Sequence, residues 1–154
     1  MTASAAPQNP QQPMLAVEAQ YIKDFSFENP RGAKSMLPQK EAPEIEINVD
    51  VKANKYNEEI FEVTLSMKVQ AKIKPSAETM FLAELVYAGL FSIKGIPQEH
   101  LQALLLVECP RLLFPFARNV LANISREAGF PPLLVQPIDF AGLYRQQLAA
   151  GKKA

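Results

Sequence analysis

The sequence predicts an α+β fold: a four-stranded antiparallel sheet of Greek-key type with helices packed on one face. Three observations predict it. Between residues 15 and 93 the apolar residues recur with period two, in four separate segments. After Gly95 the period lengthens to the i, i+3/i+4 spacing of helices. Strands followed by helices in one chain of 154 residues fit a single α+β domain.

The elements follow in order. Residues 1–13 are polar and rich in Pro and Gln, and are expected to form a mobile tail outside a domain spanning 14–149. Residues 150–154 are expected to form a second, short tail. Strand one covers 15–28. Its apolar side is Leu15, Val17, Ala19, Tyr21, Phe25 and Phe27, interrupted by Lys23; Glu18, Gln20, Asp24, Ser26 and Glu28 share the other side with Ala16 and Ile22. The connection 29–43 is too long for a tight hairpin. It can carry the chain across the sheet and set strand one beside strand four, giving the order 1-4-3-2. Strand two alternates Ile45, Ile47, Val49 and Val51 with Glu44, Glu46, Asn48, Asp50 and Lys52. Asn54-Lys55-Tyr56-Asn57 supplies a turn. In strand three, 60–74, the residues Phe61, Val63, Leu65, Met67, Val69, Ala71 and Ile73 face one way and a polar set faces the other. Lys74-Pro75-Ser76-Ala77 turns the chain into strand four, 80–93.

Pro97 suits the first turn of a helix holding Leu101, Leu104, Leu105 and Val107, which Cys109-Pro110 is expected to interrupt. A second helix runs from near Pro110 to Ala128, with an apolar stripe of Leu113, Phe116, Ala117, Val120 and Ile124; Pro115 implies a kink or a later start. Gly129 with Phe130-Pro131-Pro132 is a stop signal. Asp139 suits an N-cap, and a last helix, 140–149, has the apolar side Phe140, Leu143, Tyr144 and Leu148.

Composition excludes several function classes. Lys+Arg and Asp+Glu both number 16, so the chain lacks the basic surplus of a bulk nucleic-acid binder. The first residues have no basic and apolar regions of a secretory signal, and no apolar run reaches the roughly 18–20 residues of a membrane span. Asn123-Ile124-Ser125 matches a glycosylation acceptor that has no use without such a signal. One cysteine, Cys109, rules out an intrachain disulfide and fits a reduced, cytoplasmic setting. One Cys and one His, His100, cannot close a zinc site without carboxylates. A Cys–His nucleophile pair is formally open, but Cys109 beside Pro110 reads as a small packed residue. The glycines are isolated, so no phosphate-cradling loop is present, and Glu58-Glu59 reads as a solvated turn. No catalysis and no cofactor are expected.

The remaining signal is in strand four. MFLAELVYAGLFSI, residues 80–93, is apolar throughout except for Glu84. Burying a lone carboxylate is costly. Period two places the large odd residues Phe81, Ala83, Leu85, Tyr87 and Phe91 on the core side, and Leu82, Glu84 and Val86 on the outer side with Glu18, Asp24, Glu28, Glu44, Glu46 and Asp50. An apolar patch ringed by acids reads as a partner site, or else as a solvated face or subunit contact. Met36 and Leu37 on the crossover, with the apolar side of the last helix, form a second apolar surface, either adaptable toward partners or covering the core.

IKDFSFENP (22–30), FLAEL with GLFSIKGI (81–96), CPRLLFPFARNVLANISREAGFPPL (109–133) and PIDFAGLYRQQL (137–148) together resemble the SecB family of protein-export chaperones, over roughly 15–149. The resemblance implies a cytoplasmic homotetramer, a dimer of dimers with helices sandwiched between two sheets. It implies an ATP-independent holdase that keeps secretory preproteins unfolded and delivers them to the SecA ATPase, without enzyme activity, cofactor, nucleic-acid partner or membrane insertion. Asp24, Glu28, Leu82 and Glu84 match the family's SecA-contacting positions. Met36, Leu37, Phe140, Leu143, Tyr144 and Leu148 would border the client groove. Ala83, Leu85 and Tyr87 match strand positions that affect subunit assembly. The short basic C-terminal tail departs from the longer acidic tails of relatives, which puts any contact of that tail with SecA in doubt. The alternatives are a binding protein for small apolar ligands and a structural oligomer.

Overall fold

The computed structural model of the chain describes residues 12–151. Residues 1–11 and 152–154, which hold most of the two expected tails, lie outside the described residues. The elements are β1 (Met14–Glu28), a 3-10 turn (Gly32–Met36), β2 (Glu44–Lys55), β3 (Ile60–Ile73), β4 (Glu78–Lys94), α1 (Gln98–Ala103), a π-helical stretch (Leu104–Glu108), α2 (Cys109–Glu127) and α3 (Phe140–Ala149). The four strands form one sheet in the order β1-β4-β3-β2, antiparallel at every pairing, as the long crossover predicts.

Odd residues of β3 and β4 point to the helix layer. Val63, Leu65, Met67, Val69, Ala83, Leu85 and Phe91 are all buried there. Each of these except the small Ala83 contributes about 1.5–3 kcal/mol when removed from water. Helix α2 lays Leu113, Ala117 and Leu121 on this face, an i, i+4, i+8 stripe that is fully buried. The stripe keeps Leu113, Ala117 and the half-buried Val120 of the expected set, but Phe116 points away from the sheet and is 52% exposed. Gly89 of β4 lets the helix approach, because a Cβ there would meet Leu113 Cδ2 at 2.8 Å.

Two further expectations change. Cys109-Pro110 does not interrupt the helix. The π-helical turn over Leu104–Glu108 leads straight into α2, with Pro110 in its first turn, where a missing N–H costs little. In β1, the alternation of 15–28 is broken by two bulges, between Val17 and Ala19 and between Ile22 and Asp24. Between the bulges the faces invert. Ala19 and Tyr21 pair with Leu90 and Ala88 on the outer side, whereas Gln20 and Ile22 pair with Gly89 and Tyr87 on the helix side.

The stop signal after α2 is a Schellman motif. Phe130 N–H donates to Ser125 O (2.9 Å), Gly129 N–H donates to Arg126 O (3.0 Å), and Gly129 takes φ +94°. Asp139 caps α3 by accepting from Gly142 N at 3.0 Å. Among the described residues no helix is long and apolar enough to cross a membrane.

Candidate functional site

Helices cover β3 and β4 but only part of β2, the strand at the sheet edge, where Val49, Val51 and Ala53 are half-buried against the core. The helix-side residues Ile45 and Ile47 of β2 consequently stay 39% and 37% exposed. They face the extended segment that follows α2. Between them lies a hollow of about 420 Å³ lined by Ile45, Ile47, Val49, Leu133, Leu134 and Ile138 among others. It opens at Ile45 and Leu134 into a second hollow of about 670 Å³ beneath the crossover, bordered by Met36, Pro43, Phe81 and Phe130. A third, of about 790 Å³, continues along β2 at Val51 and Ala53 toward Leu101, Leu105, Tyr144 and Leu148. From Ile45 to Ala53 this trough follows roughly 25 Å of strand at about 3.3 Å per residue.

The trough's walls are fastened by specific contacts. Ser125 is buried in α2; its Oγ donates to Leu121 O at 2.9 Å and accepts from Leu133 N at 2.7 Å. Arg118 Nε donates to Val135 O at 2.9 Å. These two bonds hold 133–135 against the helix, where it would otherwise be an untied loop. Beside the second hollow, Phe27, Phe81 and Phe130 form an aromatic cluster with centroids 4.9–6.2 Å apart.

The groove residues expected from sequence separate. Met36 borders the second hollow, and Tyr144 and Leu148 border the third. Leu37 is exposed but borders none of these hollows, and Leu143 packs on the core. Phe140 is a correction: it is 1% exposed and packs against Phe114 with centroids 6.1 Å apart, so it belongs to the core. Sequence reasoning missed Ile45, Ile47, Leu133 and Leu134 as lining residues. The available signal was the 1-4-3-2 order, which already placed the apolar side of strand two at an uncovered edge.

The outer face of the sheet gathers the other set. Asp24 lies opposite Val86, Ser26 opposite Glu84, and Glu28 opposite Leu82. Asp24, Glu28 and Glu84 are exposed and Leu82 is half-buried, so all four form one surface across β1 and β4. The ring is not purely acidic. Lys68 of β3 lies opposite Glu84 and pairs with it at 3.7 Å, and Lys72 pairs with Glu46 of β2 at 3.0 Å.

Ala83, Leu85 and Tyr87 are buried under the helices of their own chain. Exposed apolar side chains on that layer are Leu112 (43%) and Phe116 on α2. Cys109 is fully buried, and burial, with the charge of Glu108 nearby, pushes its thiol up to about 12. His100 stays exposed beside Glu99 at 3.7 Å.

Sequence reasoning also treated Glu62 as one polar residue among many. It lies on the outer face yet is 4% exposed. Lys23 Nζ donates to it at 2.8 Å and the Tyr21 hydroxyl donates to its other oxygen. The bond from Lys23, then that from Tyr21, holds the Glu62 carboxyl below its ordinary range. Desolvation, then the Glu62 bond, pushes Tyr21 up to about 12.

Comparison with known proteins adds three findings. The family model "Preprotein translocase subunit SecB" matches residues 8–151. The chain is 46% identical over 153 residues to the protein-export protein SecB of Bartonella quintana, covering 99% of this chain and 96% of that one. It is 51% identical over 146 residues to the protein of the same name in Bradyrhizobium diazoefficiens, covering 92% and 89%. A SecB-like chaperone of Mycobacterium tuberculosis, solved in complex with an antitoxin peptide, shares the fold with a TM-score of 0.61 at 16% identity, over 80% of this chain and 90% of that one.

Proposed function

The chain belongs to the SecB family of protein-export chaperones, and from that premise we propose that it is an ATP-independent holdase whose client site is the trough beside β2. The observation that carries this reading is the open apolar side of an edge strand, exposed at Ile45 and Ile47 and half-buried at Val49, Val51 and Ala53, continued by Leu134, Tyr144 and Leu148. An unfolded client exposes apolar groups that a folded protein hides. A long, open trough binds several of them weakly at once, and multivalency gives affinity without sequence readout. Met36 on the crossover adapts to varied side chains. The peptide complex of the Mycobacterium tuberculosis relative supports a peptide as the kind of occupant this fold takes.

Clients are secretory preproteins, held in the cytoplasm by a tetramer and handed to SecA. The exposed Leu112 and Phe116 of α2 suit burial between subunits. The surface of Asp24, Glu28, Leu82 and Glu84 suits a cationic partner surface with an apolar centre.

One experiment tests both parts. Wild type and Ile47→Asp with Leu148→Asp are compared for tetramer size and for protection of a reduced, unfolded protein from aggregation without ATP. The wild type should protect; the variant should stay tetrameric and lose most protection. A tetramer that never protects leaves a structural oligomer, and a monomer that binds only small apolar probes leaves a ligand carrier. For the hand-off, Asp24→Lys with Glu84→Lys should weaken SecA binding at low salt and flatten its salt dependence. Unchanged affinity at low salt would remove the docking assignment.

A further inference from the structure

We propose that Glu62 is a positioning residue for the outer docking surface: with Tyr21 and Lys23 it holds the second bulge of β1, and that bulge aims Asp24 and Glu28 outward. The proposal rests on the docking reading given above.

The argument starts from parity. Ile22 pairs with Tyr87 on the helix side, Lys23 is the extra residue, and Asp24 pairs with Val86 on the outer side. Without that extra residue, every position after it would move by one and change face. Asp24 and Glu28 would then point at the helix layer, and Phe25 and Phe27 would point at solvent. The bulge therefore decides whether the acids of β1 reach the surface that carries Leu82 and Glu84.

A bulge in an edge strand leaves its extra residue without a ladder partner, so something else must hold it. Here the side chains hold it. Lys23, the bulged residue itself, donates to Glu62 at 2.8 Å. Tyr21, two residues earlier, donates to the other carboxylate oxygen. Glu62 belongs to β3, which is separated from β1 by β4. Tyr21 reaches it across the position of Ala88, which is small and fully buried. A larger residue at 88 would block the path.

The clamp is thus a three-strand tie made by one buried carboxylate. Burying that charge is costly unless both oxygens are engaged, and both are. The cost is accepted at a site that makes no contact with the docking acids themselves. Lys68, the partner of Glu84, lies six positions along β3 from Glu62, or roughly 20 Å at about 3.3 Å per residue. Glu62 therefore cannot contribute to docking by direct contact. It acts through the path of β1.

The test uses the full chain. Glu62→Ala is compared with wild type for amide hydrogen exchange over residues 21–28, SecA affinity at low salt, tetramer size and client protection. Expected are faster exchange confined to 21–28 by about tenfold or more, and SecA affinity lower by about tenfold, the scale of a lost charge-assisted contact, with tetramer and client protection unchanged. Glu62→Gln, which keeps the shape and one acceptor oxygen but loses the charge and the second acceptor, should recover only part of the affinity; a purely packing role would let Gln restore it fully. If Glu62→Ala does not assemble, Tyr21→Phe, which removes only the hydroxyl, carries the same comparison. Unchanged exchange over 21–28 overturns the proposal. So does faster exchange with unchanged SecA affinity, provided Glu84→Lys weakens SecA in the same assay. If Glu84→Lys has no effect either, the docking reading is what has failed, and exchange alone decides whether Glu62 holds the bulge.

Discussion

Gly89→Ala tests how tightly helix α2 is set on the sheet. A Cβ at position 89 would meet Phe91 Cε2 at 2.6 Å, Leu113 Cδ2 at 2.8 Å and Phe91 Cζ at 2.9 Å. Ordinary carbon contacts are about 3.5–4.0 Å, so three contacts are short by roughly 0.6 Å or more. Phe91 and Leu113 are both fully buried and have no free volume to move into. Overpacking of this kind costs about 1–3 kcal/mol. Replacing a glycine stiffens the unfolded chain and returns about 0.4–1 kcal/mol. A net loss of about 1–2 kcal/mol remains, a fall in Tm of roughly 2–8 °C for a domain of this size. Urea unfolding at fixed protomer concentration measures it, since assembly adds to apparent stability. Leu113→Ala alone should cost about 2–5 kcal/mol. In the double variant the new methyl fills part of the space that Leu113 leaves, so the two losses should fall short of additivity by at least about 0.5 kcal/mol. A Gly89→Ala midpoint equal to or above wild type, or strictly additive losses, would refute the close approach as the reason for glycine here.

Ser125→Ala removes the partner of the Leu133 N–H and should cost about 1–3 kcal/mol, with faster amide exchange at 133–135 and weaker client protection; unchanged exchange there would show that the wall does not depend on this latch. Cys109 should resist an aromatic disulfide reagent at pH 8 and react only as fast as the chain opens, because the thiol is buried and pushed up to about 12; rapid reaction of the native protein would contradict the burial. The Tyr21–Glu62–Lys23 cluster, with Tyr56 nearby, should give stability a signature at both pH extremes. The Tyr21 pKa is raised in the folded state, so its contribution is complete below pH about 10 and is lost as pH rises toward 12. The Glu62 pKa is lowered, so its contribution is present above the ordinary glutamate range and is lost as pH falls through it and below. Tyr21→Phe should flatten the alkaline limb; an alkaline limb identical to wild type would assign that loss to other groups.

Much of this was legible in the sequence, and the exceptions have definite causes. Period two sorted β3 and β4 correctly from Phe61 to Ala71 and from Phe81 to Phe91, where their pairing is unbroken, and Glu84 came out on the exposed side for that reason; the register shift beyond Ala71 buries Met80, an even residue. The 29–43 crossover was long enough to allow the 1-4-3-2 strand order that the structure shows. β1 misled because its two bulges shift the register by one each. The parity is restored at both ends, so Leu15, Phe25 and Phe27 fit a simple alternation and only residues 19–22 are inverted. The local marks of that inversion are Lys23 on the apolar side and Ile22 on the polar side, but the contact that holds it is with Glu62, about forty residues away and two strands across. Pro110 looked like a break because a proline removes a helical bond, but the π-helical turn before it already changes the bonding pattern. Phe140 read as a surface residue because helical spacing identifies an apolar side without showing whether that side meets the core or an opening.

The same alternation has opposite consequences in adjacent strands. In β3 and β4 the apolar side is covered by α2 and becomes core. In β2 the same side is only partly covered, at Val49, Val51 and Ala53, and stays open at Ile45 and Ile47. An uncovered apolar edge is also an aggregation hazard, since a second copy could pair with it as readily as a client. The outward residues of β2 answer that hazard: Glu44, Glu46, Asp50 and Lys52 are charged and exposed. Like charges set opposite one another disfavour strand-to-strand pairing of two copies in register, whereas a mobile client can place its own side chains to suit. The strand thus keeps an apolar side available without offering the whole edge to its own kind. Sheet order, rather than any special motif, decides which alternating strand is structure and which is a working surface.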